Sequence, residues 1–308
     1  KLITPSGTMA ISNKARILRE QGKPVIGFGA GEPDFPTPEY VVKDVQVAAE
    51  DTSNHKYSPV AGLTILKEEI VRTSQLYSGI NAQQENILVS NGGKHAILTT
   101  FMSILNPGDE VLIPSPYWTT YPEAVKISGG NPIIVDTEFD DDFKVNTDQL
   151  DALKTSKTKI LVWVSPSNPT GVVYTKEEAE QIYNWAFENN VWILSDELYE
   201  HLVYEGMTSP SPAQYDTELN NTIIINGVAK AYSMTGWRVG WIIANTDVID
   251  MAKKIQSHAT SNVSNISQIA AYSALKNGLN ETKIMKESFN RRRLYAIEEF
   301  SNIENVNL

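Results

Sequence analysis

The sequence predicts an α/β fold in which helices cover a mainly parallel central sheet. Seven short apolar segments alternate with longer amphipathic ones, which is typical of a sheet with helices on both faces. Most of the short segments are apolar at consecutive positions, as expected of strands buried on both faces of a parallel sheet. The predicted strands are residues 86–90, 110–114, 132–136, 159–165, 191–195, 222–226 and 239–244.

Two of the intervening segments carry helix start signals. Thr175 and Glu178 have the spacing of a capping box, and the apolar residues after them recur on one helical face. This pattern predicts a helix over residues 175–190. Thr37 followed by Pro38 predicts another helix, with Thr37 as its N-cap and Pro38 in its first turn.

Composition excludes several classes of protein. The chain has 308 residues and a formal net charge of −11, which gives no electrostatic footprint for nucleic acid or an anionic membrane. It has no cysteine, so disulfides, cysteine-bound metals and thiol nucleophiles are excluded. No apolar run approaches the roughly 18 residues of a membrane span, and the first residues lack the apolar stretch of a signal peptide. We therefore expect a cytoplasmic enzyme.

Polar or glycine-rich segments follow five of the predicted strands. Ligand sites of such sheets lie beyond the carboxyl ends of the strands, so we expect these segments to form the site. They are residues 91–94, 115–118, 165–168, 195–199 and 227–230.

Gly92 and Gly93 lie between a predicted strand and a predicted helix. Free N–H groups at a helix N-terminus bind phosphate, and glycine lets the anion come close. The same pattern also occurs in ordinary strand-to-helix turns, so both interpretations stay open on this feature alone.

Four further residues have chemistry that suits a site. Asp196 ends a strand, where an aspartate serves as a helix N-cap or a ligand, and Tyr199 would lie beside it in a helical turn. Lys230 is flanked by almost uncharged residues. It is either a solvated surface lysine or a desolvated amine of lowered pKa, suited to form a Schiff base. Arg238 precedes the last predicted strand and has the fork that binds phosphate.

Other motifs are missing from the sequence. The glycines of residues 27–31 do not have the spacing of a dinucleotide-binding loop, which leaves a nicotinamide dehydrogenase as a distant alternative. There is no phosphate-binding P-loop motif and no G-x-S-x-G motif of hydrolases. The four histidines are scattered, so no metal site is expected.

Together these features describe what pyridoxal phosphate requires. The cofactor needs a lysine, an acid for the pyridine nitrogen, neutral donors for the ring oxygen, an aromatic plate and a cradle for the phosphate. The chain resembles fold-type I, class I aminotransferases, specifically the prokaryotic-type aspartate aminotransferases. The matching segments occur in the family's order and are residues 30–35 (AGEPDF), 56–62 (KYSPVAG), 92–95 (GGKH), 115–118 (SPYW), 165–171 (SPSNPTG), 195–201 (SDELYEH) and 227–240.

The resemblance implies a role for each matching residue. Lys230 is implied to be the catalytic lysine that bonds to the cofactor and transfers the proton, and Asp196 the partner of the pyridine nitrogen. The other implied cofactor contacts are a stacking plate (Trp118), donors to the ring oxygen (Asn168 and Tyr199) and the phosphate site (Tyr57 from the neighbouring subunit, Gly92, Gly93, Lys94 and Arg238). The implied substrate contacts are Gly31, Lys94, Trp118 and Asn168, with Lys94 binding the distal carboxylate of aspartate.

The resemblance also implies an organisation in domains and an obligate homodimer with shared active sites. An N-terminal arm with part of a small domain is expected over residues 1–35, a large cofactor-binding domain over 36–280, and the start of the small α/β domain over 281–308. The family continues beyond the last residue here, with an arginine for the substrate α-carboxylate, so most of the small domain is expected to be missing. Many relatives have serine at the position of Gly227 or Ala229, and its loss would remove a phosphate hydrogen bond worth about 1 kcal/mol.

The function implied is transamination of L-aspartate with 2-oxoglutarate, releasing oxaloacetate and L-glutamate by ping-pong kinetics. An alternative within the same fold is a prephenate, aromatic or broad-range aminotransferase, in which residues 6–10 and Lys94 accept a bulkier dicarboxylate. An alternative of another class is a non-catalytic sensor of amino acids built on this fold.

Overall fold

The computed structural model describes residues 3–5, 7–29 and 31–306, so that Ser6 and Ala30, which belong to segments named above, lie outside the described residues. All seven predicted strands are confirmed, each within one residue or two of the predicted bounds. They are β1 (Ile87–Ser90), β2 (Glu110–Pro114), β3 (Asn131–Val135), β4 (Thr158–Val164), β5 (Trp192–Asp196), β6 (Thr222–Gly227) and β7 (Gly240–Ile243).

The strands form one sheet in the order β1-β7-β6-β5-β4-β2-β3. The pairs from β6 through β5, β4 and β2 to β3 are parallel, whereas β7 runs antiparallel to both β6 and β1. The predicted mainly parallel sheet is thus confirmed. Because β7 is the reversed strand of this sheet, its first residue lies at the same edge as the last residues of the other strands.

In the described part of the chain, ten α-helices surround this sheet. They are α1 (Gly7–Glu20), α2 (Glu39–Glu50), α3 (Thr64–Ser78), α4 (Gly93–Ile104), α5 (Thr120–Ile127), α6 (Thr147–Leu153), α7 (Lys176–Glu188), α8 (Thr246–Ala259), α9 (Asn265–Asn277) and α10 (Asn280–Ser301). Short 3-10 turns span Thr52–His55, Gln84–Asn86, Phe139–Asp141, Pro212–Gln214 and Thr235–Trp237. Among the described residues, no helix is long and apolar enough to cross a membrane. The division of the chain at residues 35 and 280 stays a prediction.

The sheet has a buried core on both of its faces. On one face, Leu88 and Ile225 pack in a cluster with residues of α4, α5 and α8. Val89 and Ile224 belong to a second cluster with α2, α3 and α9. The consecutive apolar residues of the strands follow from this arrangement, since successive residues face two different dry layers.

Both predicted helices are present, but only one of the two predicted N-caps is confirmed. Thr175 caps α7 and forms the predicted capping box with Glu178. Pro38, not Thr37, is the N-cap of α2 and makes no side-chain cap. The Thr37 hydroxyl is used in the tertiary structure instead, because it accepts a hydrogen bond from Trp237 Nε1 at 2.9 Å and donates one to the carbonyl of Ser233 at 3.2 Å.

Candidate active site

Polar segments converge at one edge of the sheet. The segments after β1, β2, β4, β5 and β6 all leave the sheet there, and Arg238 joins them because the reversed strand β7 begins at Gly240. This placement follows the rule that ligands bind beyond the carboxyl ends of parallel strands. The topology therefore brings together the predicted segments that lie far apart in the sequence.

A candidate anion site lies where α4 begins. Gly92 is the N-cap of this helix, so the first N–H groups of α4 have no partner within the helix. A Cβ atom on Gly92 would lie 2.7 Å from Nη2 of Arg238, and the φ of Gly92 is +81°. Only glycine therefore lets the guanidinium approach the helix end. Among the described residues Arg238 has no acidic partner, and its guanidinium donates to the carbonyl of Thr235 at 2.9 Å.

Lys230 lies half-buried after β6, between groups of both charges. Its Nζ donates a hydrogen bond to the carbonyl of Gly31 at 2.5 Å and lies 5.6 Å from the ring centroid of Tyr199. Burial lowers the pKa of the Lys230 amine, and the positive charge of Arg238 lowers it further, while Glu32 and Asp196 act in the opposite direction. The amine is therefore neutral more often than an exposed lysine, which suits a nucleophile or a base.

Asp196 is a buried acid at the end of β5. Its Oδ2 accepts a hydrogen bond from the hydroxyl of Tyr121 at 2.7 Å, and its Oδ1 accepts one from the backbone N–H of Leu198 at 3.2 Å. Burial raises the pKa of the Asp196 carboxyl, and these hydrogen bonds and Lys230 oppose the rise. In the described part of the chain no lysine or arginine pairs with Asp196. A buried carboxylate that has no cationic partner in the protein is suited to bind a cationic group of a ligand.

Tyr199 lies in the turn after Asp196, as the sequence predicted. Burial and the charge of Asp196 raise the pKa of Tyr199 to about 12. Its phenol therefore stays protonated near neutral pH and is available as a hydrogen-bond donor. Asn168 lines a cavity at the same edge together with Tyr121, after the end of β4.

Trp118 and Lys94 occupy the side of the site next to β2. The Lys94 ammonium lies 5.1 Å from the centroid of the Trp118 ring, which in turn meets Tyr121 edge-on at 5.6 Å. Partial burial lowers the pKa of Lys94, and the charge of Arg238 adds to this. Lys94 thus places a second cation beside the anion site.

Gly31 and Tyr57 are predicted site residues that make no side-chain contact of their own with the rest of the site among the described residues. Gly31 is exposed and contributes the carbonyl that binds Lys230. Tyr57 is 92% exposed, and no hydrogen bond or ring contact among the described residues links its side chain to the rest of the site.

The position of Gly227 leaves no space for a side chain, because a Cβ there would lie 2.9 Å from the carbonyl oxygen of Val239. Of the two positions where relatives have serine, only that of Ala229 is therefore open to one.

Sequence reasoning missed two side chains of this region. Tyr121 lies among the buried residues of α5, where its sequence pattern is that of an ordinary core residue. Glu197 lies directly after Asp196 but on the other side of the strand, where its Oε1 accepts hydrogen bonds from Ser195 at 2.7 Å and Ser211 at 2.5 Å. Two consecutive acids at a strand end were the available signal for Glu197.

The comparisons with known proteins agree with this geometry. The family model described as "Aminotransferase class I and II" matches residues 23–308. The chain belongs to this family, and it is an aminotransferase that uses pyridoxal 5′-phosphate. The residues fit that cofactor, since a buried acid without a cationic partner, a desolvated lysine and an arginine-lined helix N-terminus match its pyridine nitrogen, aldehyde and phosphate.

Relatives and solved structures give the same result. The chain is 48% identical over 305 residues to an aspartate aminotransferase of Streptomyces avermitilis, covering 99% of this chain and 75% of the relative. It is 39% identical to a probable aspartate/prephenate aminotransferase of Aquifex aeolicus, covering 99% of this chain and 78% of the relative. The structure of an aspartate aminotransferase from Thermus thermophilus with maleate matches with a TM-score of 0.93 and 37% identity, over 97% of this chain and 79% of that one.

We expect the stability of the protein to depend on pH through Glu197. Burial and the nearby charge of Glu200 raise the pKa of Glu197 from its ordinary 4.5 to about 8. Between these values the folded protein holds a proton that the unfolded chain releases, so the free energy of unfolding falls as the pH rises through this window. Glu197→Gln should remove this contribution, as measured by urea unfolding from about pH 5 to about pH 9.

The exposed Glu188→Gln is the matched control and should keep the pH dependence of the wild type. If Glu197→Gln and the wild type lose stability in parallel as the pH rises, Glu197 is not the protonated group.

Proposed function

We propose that this aminotransferase acts on L-aspartate and 2-oxoglutarate at the site described above. The position of Lys94 carries the proposal. Its ammonium lies beside Trp118 within the site, and no acidic side chain of the described residues neutralises it. A free cation there suits the distal carboxylate of a dicarboxylic amino acid. The Thermus thermophilus relative was solved with maleate, a small dicarboxylate, and the Streptomyces avermitilis relative is an aspartate aminotransferase.

Residues of this chain would contact the pyridine nitrogen, the ring, the ring oxygen and the phosphate of the cofactor. Asp196 would face the pyridine nitrogen, and Trp118 would stack on the ring. The protonated phenol of Tyr199 and the amide of Asn168 would donate to the ring oxygen. The remaining groups would bind the phosphate: Gly92, Gly93, Lys94, Arg238 and, from a second subunit, Tyr57.

Lys230 would do the proton chemistry. When bound, the cofactor supplies an electron sink for the bond broken at the α-carbon of the amino acid. The Lys230 amine, whose pKa is lowered chiefly by burial, would take the α-proton at Nζ and then donate it to the cofactor, so that the proton does not return to the α-carbon. The hydrogen bond of Lys230 to the carbonyl of Gly31 would hold Nζ in position for both proton transfers.

We also propose a homodimer with shared active sites. The side chain of Tyr57 is 92% exposed, so that it is accessible to another chain. Asn265, a buried residue of α9, donates from Nδ2 to the carbonyls of Asn54 and Lys56 and so fixes the backbone next to Tyr57. The backbone of the segment is thus held in place while the side chain of Tyr57 stays exposed, as a contribution to a partner requires.

A prephenate or aromatic substrate is the second candidate. The relative from Aquifex aeolicus supports it, since that protein is a probable aspartate/prephenate aminotransferase. Prephenate also carries two carboxylates, so Lys94 suits both substrates. Steady-state kcat/KM values for aspartate, tyrosine and prephenate decide between them. Cofactor binding without any conversion of aspartate would instead support the amino-acid sensor.

Replacing Lys230 tests the catalytic assignment. Lys230→Ala should lower turnover of aspartate by about a hundredfold to ten-thousandfold, because a general base contributes about 10²–10⁴ in rate. Borohydride reduction followed by peptide mass analysis should find the cofactor on Lys230 in the wild type and on no lysine in the variant. The exposed Lys253→Ala, on α8, is the control and should match the wild type. Normal turnover by Lys230→Ala would contradict the assignment.

Neutralising Lys94 tests the substrate. Lys94→Met keeps the length of the side chain, and it should lower kcat/KM for aspartate about 10- to 100-fold, the usual contribution of a charge-assisted hydrogen bond. The value for tyrosine, which lacks the distal carboxylate, should change less than about threefold. Equal losses for both amino acids would show that Lys94 serves the phosphate and not the substrate.

Mixing two damaged variants tests the shared site. Tyr57→Ala and Lys230→Ala should each be impaired, but a mixed dimer contains one site with both residues intact. Subunit exchange should therefore restore up to about a quarter of wild-type activity, as expected for random pairing in a two-fold dimer. Tyr295→Ala, which changes another exposed tyrosine, should by itself keep full activity as the control. No recovery on mixing, under conditions where exchange is verified, would place Tyr57 in its own subunit's site or outside both.

A further inference from the structure

Tyr121 contacts two side chains of the site, Trp118 and Asp196. It lies in the first turn of α5, three residues after Trp118, and is 1% exposed. Its ring meets Trp118 edge-on, with an interplanar angle of 89°. Its hydroxyl donates to Oδ2 of Asp196 at 2.7 Å. No role in the chemistry was predicted for it from the sequence.

The direction of this hydrogen bond is fixed by the surroundings. Burial and the charge of Asp196 raise the pKa of Tyr121 well above 10, so its phenol remains protonated. Asp196 is then the acceptor at both oxygens, because the other one receives the N–H of Leu198. The carboxylate thus has a donor on each oxygen, and among the described residues it shares neither with a cation.

Donation to a carboxylate lowers its affinity for a proton. This matters here because burial acts in the opposite direction and favours the neutral acid. The other ionisable groups around Asp196 are Lys230 from the loop after β6, and Tyr199 and Glu197 from its own segment. Among these, Lys230 is the one cation, and its distance from the acid is not short enough for an ion pair. The hydroxyl of Tyr121 is therefore the main side-chain contact that favours the charged form.

We propose that Tyr121 is a positioning residue for the reaction, which keeps Asp196 ionised and correctly turned so that the proton between Asp196 and its ring partner stays on the ring. The same side chain braces Trp118 from the edge, so that one residue sets both the acid and the stacking plate. This inference rests on the proposed pairing of Asp196 with the pyridine nitrogen.

A purely structural role is the competing explanation, since a buried tyrosine needs a hydrogen-bond partner wherever it lies. The chain offers a matched control in Tyr174. That residue is 5% exposed, its ring packs against Trp163 at 3.9 Å between centroids, and its hydroxyl accepts from the N–H of Val145 at 3.0 Å. Tyr174→Phe removes a buried phenolic hydrogen bond without touching Asp196.

The experiment compares Tyr121→Phe with Tyr174→Phe and the wild type, all as full-length protein. Binding of pyridoxal phosphate to the apoprotein is followed by quenching of tryptophan fluorescence across pH. Without its donor, Asp196 takes up a proton more readily. We therefore expect the loss of cofactor affinity on acidification to occur about one pH unit higher in Tyr121→Phe, which corresponds to about tenfold weaker binding within that window. In turnover, kcat should fall about tenfold with little change in KM for aspartate.

Tyr174→Phe should lower the melting temperature and leave both of these quantities unchanged. In an Asp196→Asn background, Tyr121→Phe should have no further effect on cofactor affinity, because no ionised acid remains to be stabilised.

Failure of the proposed function and failure of the role of Tyr121 give different results. If the wild type binds the cofactor but does not convert aspartate, the proposed function fails whatever Tyr121 does. If the wild type converts aspartate and Tyr121→Phe shares its pH dependence and kcat, the role of Tyr121 is overturned. It would also be overturned if Tyr121→Phe weakened cofactor binding equally in the wild-type and the Asp196→Asn backgrounds.

Discussion

A sheet covered by helices on both faces has only the ends of its strands to offer for polar chemistry. Each residue inside a strand faces one dry layer or the other, so that a charge placed there would lack both water and a partner. Here this constraint collects a lysine, an acid, an arginine and two glycines from strands that are far apart in the sequence. The reversal of β7 completes the set. Because this strand runs in the opposite direction to its neighbours, Arg238, which precedes it, lies opposite the helix end that follows β1.

The electrostatics of the site oppose those of the whole chain. The protein carries a net charge of −11, yet Lys94, Lys230 and Arg238 gather at one edge, and in the described residues none of them forms a salt bridge. The charge of Arg238 adds to burial in lowering the pKa of Lys94 and of Lys230. Glu32 and Asp196 offset part of this cost for Lys230, and anions that enter the site would offset more of it. This local group of cations explains how an acidic protein suits both a phosphorylated cofactor and a dicarboxylic substrate. Burial is the main cause of the lowered pKa of the Lys230 amine, and the repulsion by Arg238 acts in the same direction, against the charges of Glu32 and Asp196.

Much of the fold could be predicted because burial on two faces leaves a direct record in the sequence. Strands β2 and β6 each contain three consecutive β-branched or aliphatic residues, over residues 111–113 and 223–225, as expected of strands buried on both faces. Thr37 shows where such prediction stops. Its local pattern indicated a helix cap, but its hydroxyl is used by Trp237 and Ser233, about 200 residues away. The role of Tyr121 was equally out of reach, because a tyrosine on the buried face of a helix has the same pattern whether it meets an aliphatic side chain or an acid.

The two consecutive acids at the end of β5 lie on different sides of the strand and have different surroundings. Side chains alternate between the faces of a strand, so Asp196 points to one side, while Glu197 and Ser195 form their hydrogen bond away from it. Asp196 receives donors from Tyr121 and Leu198 and lies within the field of Lys230, all of which favour its charged form. Glu197 lies beside Glu200, so burial and repulsion together favour its neutral form. If both acids were ionised, each would raise the proton affinity of the other. A neutral Glu197 adds no negative charge beside Asp196, so the charged form of Asp196 is not opposed by its direct neighbour in the sequence.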